Sequence, residues 1–346
     1  MRAMVITATA AMGPQDQPLR VAELPRPEPA ADEVLIRVSV CGVCHTELDE
    51  IEGRTPPPVL PVVPGHEAVG TVVACGRDVT RHRPGDRVGV GWIYSSTGED
   101  DENLAPEFRA TGRDANGGYA EYLCVGQRYA YPIPAVFTDE EAAPLLCAGA
   151  VGYRALRLSG IGNGDALGLT GFGGSAHIVL QVVRYRYPDT GVYVFARSEQ
   201  ERRFALELGA SWAGGTQEPA PVKLDAIIDT TPAWLPVLKG LENLRPGGRL
   251  VINAIRKESA DRALLAGLSY ERHLWQEKEV KTVANVTHRD IAEFLPLAAA
   301  AGVRPRVRCF ELADANRALQ ELKFGHLRGA FVLRMLAPSA VARGQE

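Results

Sequence analysis

The sequence predicts a two-domain α/β protein, in which a β-rich, partly open barrel is joined to a domain built on a parallel sheet. Three observations support this prediction: alternating β-type runs up to about residue 130, helix-like stretches between apolar runs beyond about residue 150, and a glycine-rich loop. The pattern becomes mixed again from about residue 285. We expect one domain to comprise residues 1–151 and 286–346, and the other residues 152–285.

The composition argues against several classes of function. The 346 residues are 46% apolar and have a formal net charge of −4, so no strongly basic face for nucleic acid is expected. No apolar run reaches the ~20 residues that span a bilayer. The stretch "MRAMVITATAA" alternates like a strand and lacks a cleavage site. Six unevenly placed cysteines do not suggest a disulfide scaffold, so we expect a cytoplasmic protein.

The individual elements follow from the same patterns. In the first segment, "EVLIRVSV" and "AVGTVVAC" are broken by glycine and proline, as in a barrel with long loops. In the second segment, "EEAAPLLCAGAVGYRALRLSG" predicts a helix, whereas "GVYVF", "LDAIIDTT" and "GGRLVINAI" predict buried parallel strands. The closing "GAFVLRM" predicts a last strand.

The glycine loop "GLTGFGGSA" lies between an apolar strand and a helix-like stretch. Gly171, Gly173 and Ala176 have the spacing G-x-G-x-x-A, with Gly174 inside the loop. The first glycine permits a tight turn, the second admits a pyrophosphate, and the small third residue lets helix pack on strand. A purely structural turn is the alternative, but the strand, loop, helix and strand together predict dinucleotide binding.

The residue that follows the next strand, "GVYVF", bears on the choice of dinucleotide. An acidic residue there would accept a hydrogen bond from the adenosine ribose and favour NAD. This chain has Ala196, Arg197 and Ser198 instead. Without a carboxylate, Arg197 can pair with a 2′-phosphate. A solvated arginine at a strand end is the alternative, and we expect NADP to be slightly favoured over NAD.

Thiols and imidazoles that suit a metal occur in "CGVCHTE" (residues 41–47) and "GHE" (residues 65–67). On these residues alone, the CxxC could also be a redox pair, and Cys147 could be a packing residue in a helix. Trp92 and Tyr94 could line an apolar pocket or belong to a core.

The segment "PGHEAVGTVVACGRDV" fits the pattern G-H-E-x2-G-x5-G-x2-V. With "CGVCHTE", "GDRV", "GGYAEY", "LLCAGAVGY", "LRPGGRL" and "RGAFVL" in order, nearly the whole chain resembles the zinc-containing alcohol dehydrogenases of the medium-chain dehydrogenase/reductase superfamily. The resemblance implies a GroES-like catalytic domain, a Rossmann domain, and reversible hydride transfer between a primary alcohol and NAD(P). It also implies a small-molecule alcohol or aldehyde substrate and a homodimer or homotetramer.

The resemblance further implies one catalytic zinc held by Cys44, His66 and Cys147, while Cys41 is not a ligand. Glu67 is the acidic residue beside the metal, acting from outside the ligand set or as a transient ligand. Two thiolates and one imidazole leave a fourth position open for water or substrate.

Four more residues receive implied roles from the resemblance. Thr46 hydrogen-bonds the substrate hydroxyl and begins a proton relay, in which Asp49 occupies the place of a histidine found in many relatives. His45 and Arg328 approach the cofactor phosphates. For Arg328 the alternative is a surface arginine before a strand.

Many relatives hold a second, structural zinc with four cysteines, in a lobe that corresponds to the segment from "GW" to "GGYAEY". Residues 91–122 contain no cysteine, so a four-thiolate site cannot form and no structural zinc is expected. We expect this lobe to be shortened and mobile, with a solvated acidic run at residues 98–103; a hard-cation site is the alternative.

Two other functions remain possible on the sequence. One is a zinc-free quinone or enone reductase of the same superfamily, and the other is a non-catalytic, nucleotide-binding structural protein. The zinc ligands and Thr46 argue against both.

Overall fold

The structure is a computed structural model that describes residues 1–325 and 329–335. The chain forms two compact units. One consists of Met1–Cys147 with the described residues from Arg306 onward, and the other of Ala148–Pro305. The chain therefore returns from the second unit to the first at residue 306, later than the predicted residue 286. No helix in the described part of the chain has the length and apolar character needed to cross a membrane.

The strands and helices are numbered in chain order. The strands are β1 (Arg2–Ile6), β2 (Leu19–Glu23), β3 (Glu33–Val43), β4 (Ala68–Cys75), β5 (Arg87–Val90), β6 (Ile93–Ser95), β7 (Arg109–Ala110), β8 (Tyr122–Gly126), β9 (Ala130–Pro132), β10 (Ala166–Thr170), β11 (Gly191–Phe195), β12 (Trp212–Gly214), β13 (Leu224–Asp229), β14 (Leu244–Ile252), β15 (Glu279–Thr282), β16 (Val307–Glu311) and β17 (Ala330–Arg334). The α-helices are α1 (His45–Ile51), α2 (Asp139–Ala142), α3 (Ala148–Ser159), α4 (Ala176–Arg186), α5 (Glu199–Glu207), α6 (Leu235–Asn243), α7 (His288–Ala300) and α8 (Ala315–Phe324).

The first unit is built on the long strand β3. Its main sheet has the order β16-β17-β3-β4-β5-β9, and β8 also pairs with β3. Val34, Ile36 and Val38 alternate along β3 and are all buried, as expected for a strand with one face on a core. This unit is the predicted GroES-like barrel, and its first and last predicted strands, β1 and β17, are confirmed.

The second unit contains a sheet of six parallel strands in the order β12-β11-β10-β13-β14-β15. The chain moves outward from β10 to β11 and β12, and then returns to place β13 on the other side of β10. A crevice therefore forms beyond the carboxyl ends of β10 and β13, where doubly wound sheets bind ligands. The predicted Rossmann architecture is confirmed.

Helix α7 belongs to the second unit because it packs against α3. Arg154 and Arg157 of α3 donate to the buried carboxylate of Asp290 at 2.7 and 2.6 Å. The rings of Tyr153 and Phe294 lie 5.8 Å apart. Residues 286–305 therefore join the Rossmann unit, whereas the mixed sequence pattern assigned them to the catalytic domain.

The helix predicted around Cys147 is interrupted at that residue. A 3₁₀ turn, Ala143–Leu146, separates α2 from α3, and Cys147 has φ −126° and ψ −77°. Pro144 lacks an amide hydrogen and contributes to this break. Cys147 therefore lies between two helical segments, and its backbone is not constrained to a helical conformation.

The cysteine-free lobe is attached to the first unit by a buried carboxylate. Residues 99–101 are exposed as expected, but Glu102 is buried. Its carboxylate accepts a hydrogen bond from the Tyr129 hydroxyl at 2.9 Å, and its backbone carbonyl accepts one from Ser96 at 2.7 Å. The prediction of a solvated acidic run is therefore wrong for Glu102, because a tyrosine from a distant turn takes the place of water.

Candidate active site

Four potential metal ligands meet in the first unit. Cys44, His66, Glu67 and Cys147 each offer one ligand atom, and these atoms all lie within 4.8 Å of one another. His66 and Glu67 are buried and the two cysteines are partly buried. The structure thus brings together all four residues that the sequence analysis proposed for the metal.

Three separate segments supply these ligands. Cys44 lies where β3 gives way to α1, His66 and Glu67 immediately precede β4, and Cys147 lies at the helix break. Gly42 makes room for Glu67, since a Cβ at position 42 would lie 1.8 Å from Glu67 Oε2. The antiparallel pairing of β3 with β4 therefore sets the distance between the first cysteine and the histidine.

The donor set fits Zn²⁺. The sulfurs of Cys44 and Cys147 are 4.0 Å apart, close to the ~3.8 Å expected for two Zn–S bonds of about 2.3 Å at a tetrahedral angle. A hydrogen bond from Cys147 lowers the pKa of Cys44 well below its ordinary value, despite burial. The same hydrogen bond, together with burial, raises the pKa of Cys147. Both thiols must be deprotonated to bind a metal, so metal binding at this site releases protons.

Glu47 positions the imidazole and was missed in the sequence analysis. Its Oε1 lies 2.8 Å from His66 Nδ1, and its Oε2 accepts the Cys44 amide hydrogen at 2.7 Å. Although burial opposes protonation, the charges of Glu47 and Cys44 raise the pKa of His66 well above its ordinary value. Both ring nitrogens of His66 are buried without a hydrogen-bond partner in the described residues. Nδ1 has the Glu47 carboxylate as its close neighbour, which leaves Nε2 as the nitrogen available to a metal. In the sequence, the carboxylate three residues after Cys44 was the feature that could have identified Glu47.

The residues assigned to the proton relay differ in their surroundings. Thr46 is buried, and its hydroxyl oxygen lies 3.5 Å from the Cys44 sulfur. Asp49 is also buried, but its carboxylate is paired with Arg54 at 2.6 Å. A role for Asp49 in proton transfer therefore stays a prediction, and its observed contact is an ion pair.

Two residues that the family resemblance places near the cofactor phosphates remain untested. His45 is exposed at the first residue of α1. Arg328 lies outside the described residues. Their approach to the cofactor stays a prediction.

Aromatic side chains lie beside the cluster of potential metal ligands, Cys44, His66, Glu67 and Cys147. The Trp92 ring lies 5.6 Å from the His66 ring, and Phe108 meets Trp92 edge-on at 6.4 Å. The Tyr94 hydroxyl instead donates to Glu33 at 2.8 Å. Trp92 and Phe108 are therefore candidates to line a substrate pocket, whereas the Tyr94 hydroxyl is engaged elsewhere.

The glycine loop of the second unit makes a tight turn and leaves its backbone open before α4 begins. Gly171 has φ +77°, and its amide donates to Phe195 at 2.8 Å. A Cβ at Gly173 would meet no atom within 4 Å, so the backbone there faces open space. Ala176 is the buried first residue of α4, and Gly174 lies between. The loop therefore combines a tight turn, an approachable backbone and a helix N-terminus.

The three residues that directly follow β11 include an arginine and no acidic residue. Ala196 is buried, and Arg197 and Ser198 are exposed. Ser198 caps α5 by accepting the amide of Glu201 at 3.1 Å. Arg202 donates to the carbonyls of Ala196 and Arg197 at 2.9 and 3.0 Å, which places a second arginine beside the strand end. The sequence analysis did not identify Arg202.

Comparisons with known proteins agree with this fold. Residues 30–135 match the family model described as "Alcohol dehydrogenase GroES-like domain". The chain is 39% identical over 333 residues to a probable alcohol dehydrogenase, AdhA, from Mycobacterium tuberculosis, covering 93% of this chain and 94% of the relative. It is 33% identical over 336 residues to an alcohol dehydrogenase from Geobacillus stearothermophilus, covering 92% and 96%.

A solved structure shares the whole architecture. A cinnamyl alcohol dehydrogenase from Sorghum bicolor superimposes with a TM-score of 0.79 at 27% identity, covering 96% of this chain and 97% of that one. A two-domain α/β fold with a clustered thiol and imidazole site defines an oxidoreductase of the medium-chain dehydrogenase/reductase superfamily. The chain belongs to the zinc-containing alcohol dehydrogenase family.

Proposed function

We propose that the protein is a zinc-dependent alcohol dehydrogenase that interconverts a primary alcohol and its aldehyde with NADP(H), and less well with NAD(H). The observation that carries the proposal is the cluster of Cys44, His66, Glu67 and Cys147. A zinc-free enone reductase or a structural nucleotide-binding protein would not need two thiols and an imidazole within reach of one ion.

In this proposal Cys44, His66 and Cys147 hold the zinc, and Glu67 lies beside it. Bound Zn²⁺ supplies Lewis-acid chemistry that brings the pKa of a bound hydroxyl towards about 7. Glu47 fixes the imidazole so that Nε2 faces the cluster. The Thr46 hydroxyl, 3.5 Å from the Cys44 sulfur, is placed to accept a proton from an alcohol or return one to an aldehyde.

The substrate class is proposed from the aromatic residues near the cluster. Trp92 offers apolar ring surface beside His66, and Phe108 extends that surface from the edge of Trp92, which favours alcohols with an apolar or aromatic substituent. The Sorghum bicolor neighbour is a cinnamyl alcohol dehydrogenase. We therefore propose that primary alcohols with an unsaturated or aromatic group are better substrates than ethanol.

We also propose that the protein works as a homodimer or homotetramer in the cytoplasm. All four residues of β15 are exposed at the free edge of the parallel sheet. An unpaired strand edge of this kind can pair with the same edge of a second copy.

The proposed function is tested by the zinc content and the turnover of the purified, dialysed protein. We expect about one zinc per chain by elemental mass spectrometry, because Cys44, His66 and Cys147 supply the three protein ligands of a single site. We also expect NADP⁺-dependent oxidation of cinnamyl alcohol that stops on chelation and returns with zinc. A protein that contains no zinc and gains no activity on its addition would favour the reductase or the structural alternative.

The preference for NADP is tested by substitution at the end of β11. The double variant Ala196→Asp, Arg197→Ala is compared with the wild type. The ratio of kcat/KM for NADP⁺ to kcat/KM for NAD⁺ should fall by about tenfold or more, because a charged hydrogen bond contributes about 1.5–3 kcal/mol. Arg203→Ala is the matched control, since Arg203 pairs with Glu199 on α5. If the double variant kept the wild-type ratio of kcat/KM for the two cofactors, Arg197 would not contact the 2′-phosphate.

A further inference from the structure

The hydroxyl of one buried tyrosine fixes the cysteine-free lobe of the first unit. The Tyr129 hydroxyl donates to Glu102 Oε2 at 2.9 Å and accepts the Ser96 amide hydrogen at 3.1 Å. The Ser96 hydroxyl in turn donates to the Glu102 carbonyl at 2.7 Å. These three residues therefore form a closed hydrogen-bond network that joins two points of the lobe to the turn after β8.

Burial makes this network decisive for the position of the lobe. Glu102 and Tyr129 are both buried. Burial, followed by the hydrogen bond to Glu102, raises the pKa of Tyr129, so its hydroxyl stays a donor at neutral pH. A buried carboxyl group that loses a donor costs free energy, because water does not replace it. The lobe is therefore most stable where Glu102 reaches the tyrosine hydroxyl.

Two short turns connect Glu102 to Phe108. The Ala105 amide donates to the Glu102 carbonyl at 3.3 Å, and the Phe108 amide donates to the Ala105 carbonyl at 3.1 Å. The first of these turns is a 3₁₀ turn, Glu102–Leu104. Because a backbone hydrogen bond closes every third residue, the segment has little freedom between its ends. The place of the Glu102 side chain therefore sets the place of the Phe108 ring.

Phe108 is the ring that meets Trp92 beside the cluster of potential metal ligands. It lies edge-on to Trp92 at 6.4 Å, and the Trp92 ring lies 5.6 Å from the His66 ring. On the far side of Phe108, the Thr111 amide donates to the Trp92 carbonyl at 2.8 Å. A change at Tyr129 therefore reaches the apolar surface beside His66 through the Phe108 ring.

We propose that Tyr129 and Glu102 are positioning residues that determine substrate preference by holding Phe108 against Trp92, an inference that rests on the proposed function. The ring held in this way extends the apolar surface on which a large or aromatic substituent can pack. Ethanol has no such substituent and gains little from that surface. Loss of the Tyr129 hydrogen bond should therefore affect cinnamyl alcohol far more than ethanol.

The test is steady-state kinetics of the full, zinc-containing protein with cinnamyl alcohol and ethanol. Tyr129→Phe removes only the hydroxyl. It should lower the ratio of kcat/KM for cinnamyl alcohol to kcat/KM for ethanol by about three- to tenfold, mainly through a higher KM for cinnamyl alcohol. Phe108→Ala should lower the same ratio by about tenfold or more. Both variants should keep their zinc, since neither residue belongs to the metal cluster.

A double variant decides whether Tyr129 acts through Phe108. In a Phe108→Ala background, Tyr129→Phe should change the ratio by less than about twofold, because the ring that it positions is gone. Glu102→Gln keeps an oxygen acceptor for the tyrosine hydroxyl and should stay within about twofold of the wild-type ratio, whereas Glu102→Ala should behave like Tyr129→Phe. Tyr122→Phe is the control, because the Tyr122 ring lies outside the network and contacts Arg26 at 4.5 Å.

The outcomes distinguish this inference from the proposed function. A wild-type ratio in Tyr129→Phe or in Phe108→Ala would overturn the positioning role and leave the dehydrogenase activity intact. Additive losses in the double variant would also overturn it, since Tyr129 would then act on the protein as a whole. A wild-type protein that oxidises neither alcohol, or that prefers ethanol, would overturn the proposed function and this inference with it.

Discussion

Cys44→Ser is expected to weaken zinc binding by more than about 100-fold, because changing even the outer partners of metal ligands costs about 10–100-fold. Turnover of the alcohol should fall with the metal. A serine hydroxyl is a much poorer zinc ligand than the thiolate that Cys147 stabilises at this position. Zinc per chain and kcat are measured on the same preparation, with NADPH affinity as a check that the second unit is unchanged.

Cys41→Ser is the matched control for this substitution. Cys41 lies three residues earlier in the same "CGVC" segment, is fully buried, and has a pKa raised by burial. It is not a member of the metal cluster. The control should keep its zinc and its turnover, even if its melting temperature falls. Retained zinc in Cys44→Ser, or an equal loss in Cys41→Ser, would contradict the ligand assignment.

Glu47→Gln is expected to weaken zinc binding by about 10–100-fold, the usual effect of removing the group that orients a histidine ligand. Glu47 and glutamine have nearly the same shape, and the bond to the Cys44 amide can be kept. However, the glutamine NH₂ group can face His66 Nδ1 and favour the tautomer with its hydrogen on Nε2, which cannot bind metal. Competition with a chromophoric chelator measures the affinity.

Glu50→Gln is the corresponding control on the same helix. Glu50 is also fully buried, and both its carboxylate oxygens lack a partner in the described residues. Burial, followed by the charge of Glu47, raises its pKa well above the ordinary range. Zinc affinity should change little. If both variants lost zinc equally, a general effect of charge on α1 would replace the orienting role of Glu47.

Much of the architecture could be predicted from short stretches of sequence. The central parallel strands β10 and β13 of the second unit are largely apolar because both of their faces are covered, and this pattern is visible without any partner strand. The turn at Gly171 and the open backbone at Gly173 likewise depend on residues that are adjacent in the chain. Local patterns of this kind depend on chain periodicity and backbone sterics.

Other features depended on contacts between distant residues. The buried position of Glu102 required a tyrosine 27 residues away, and the place of α7 required two arginines of α3 more than 130 residues away. In both cases the sequence pattern favoured a different prediction. A charged residue is usually solvated, and only the partner that meets it in the fold reverses that expectation.

The sequence by itself determined the two-domain α/β class and the turn of the glycine loop. Through its resemblance to a known family it also identified the four residues that the structure brings together. Only the tertiary structure decided which neighbouring carboxylates act on that cluster. Glu47, Asp49 and Glu50 lie on one short helix, yet Glu47 faces His66, Asp49 pairs with Arg54, and Glu50 is buried without a partner in the described residues. Helical spacing sets the direction of each side chain, but the segments packed around the helix decide what each one meets.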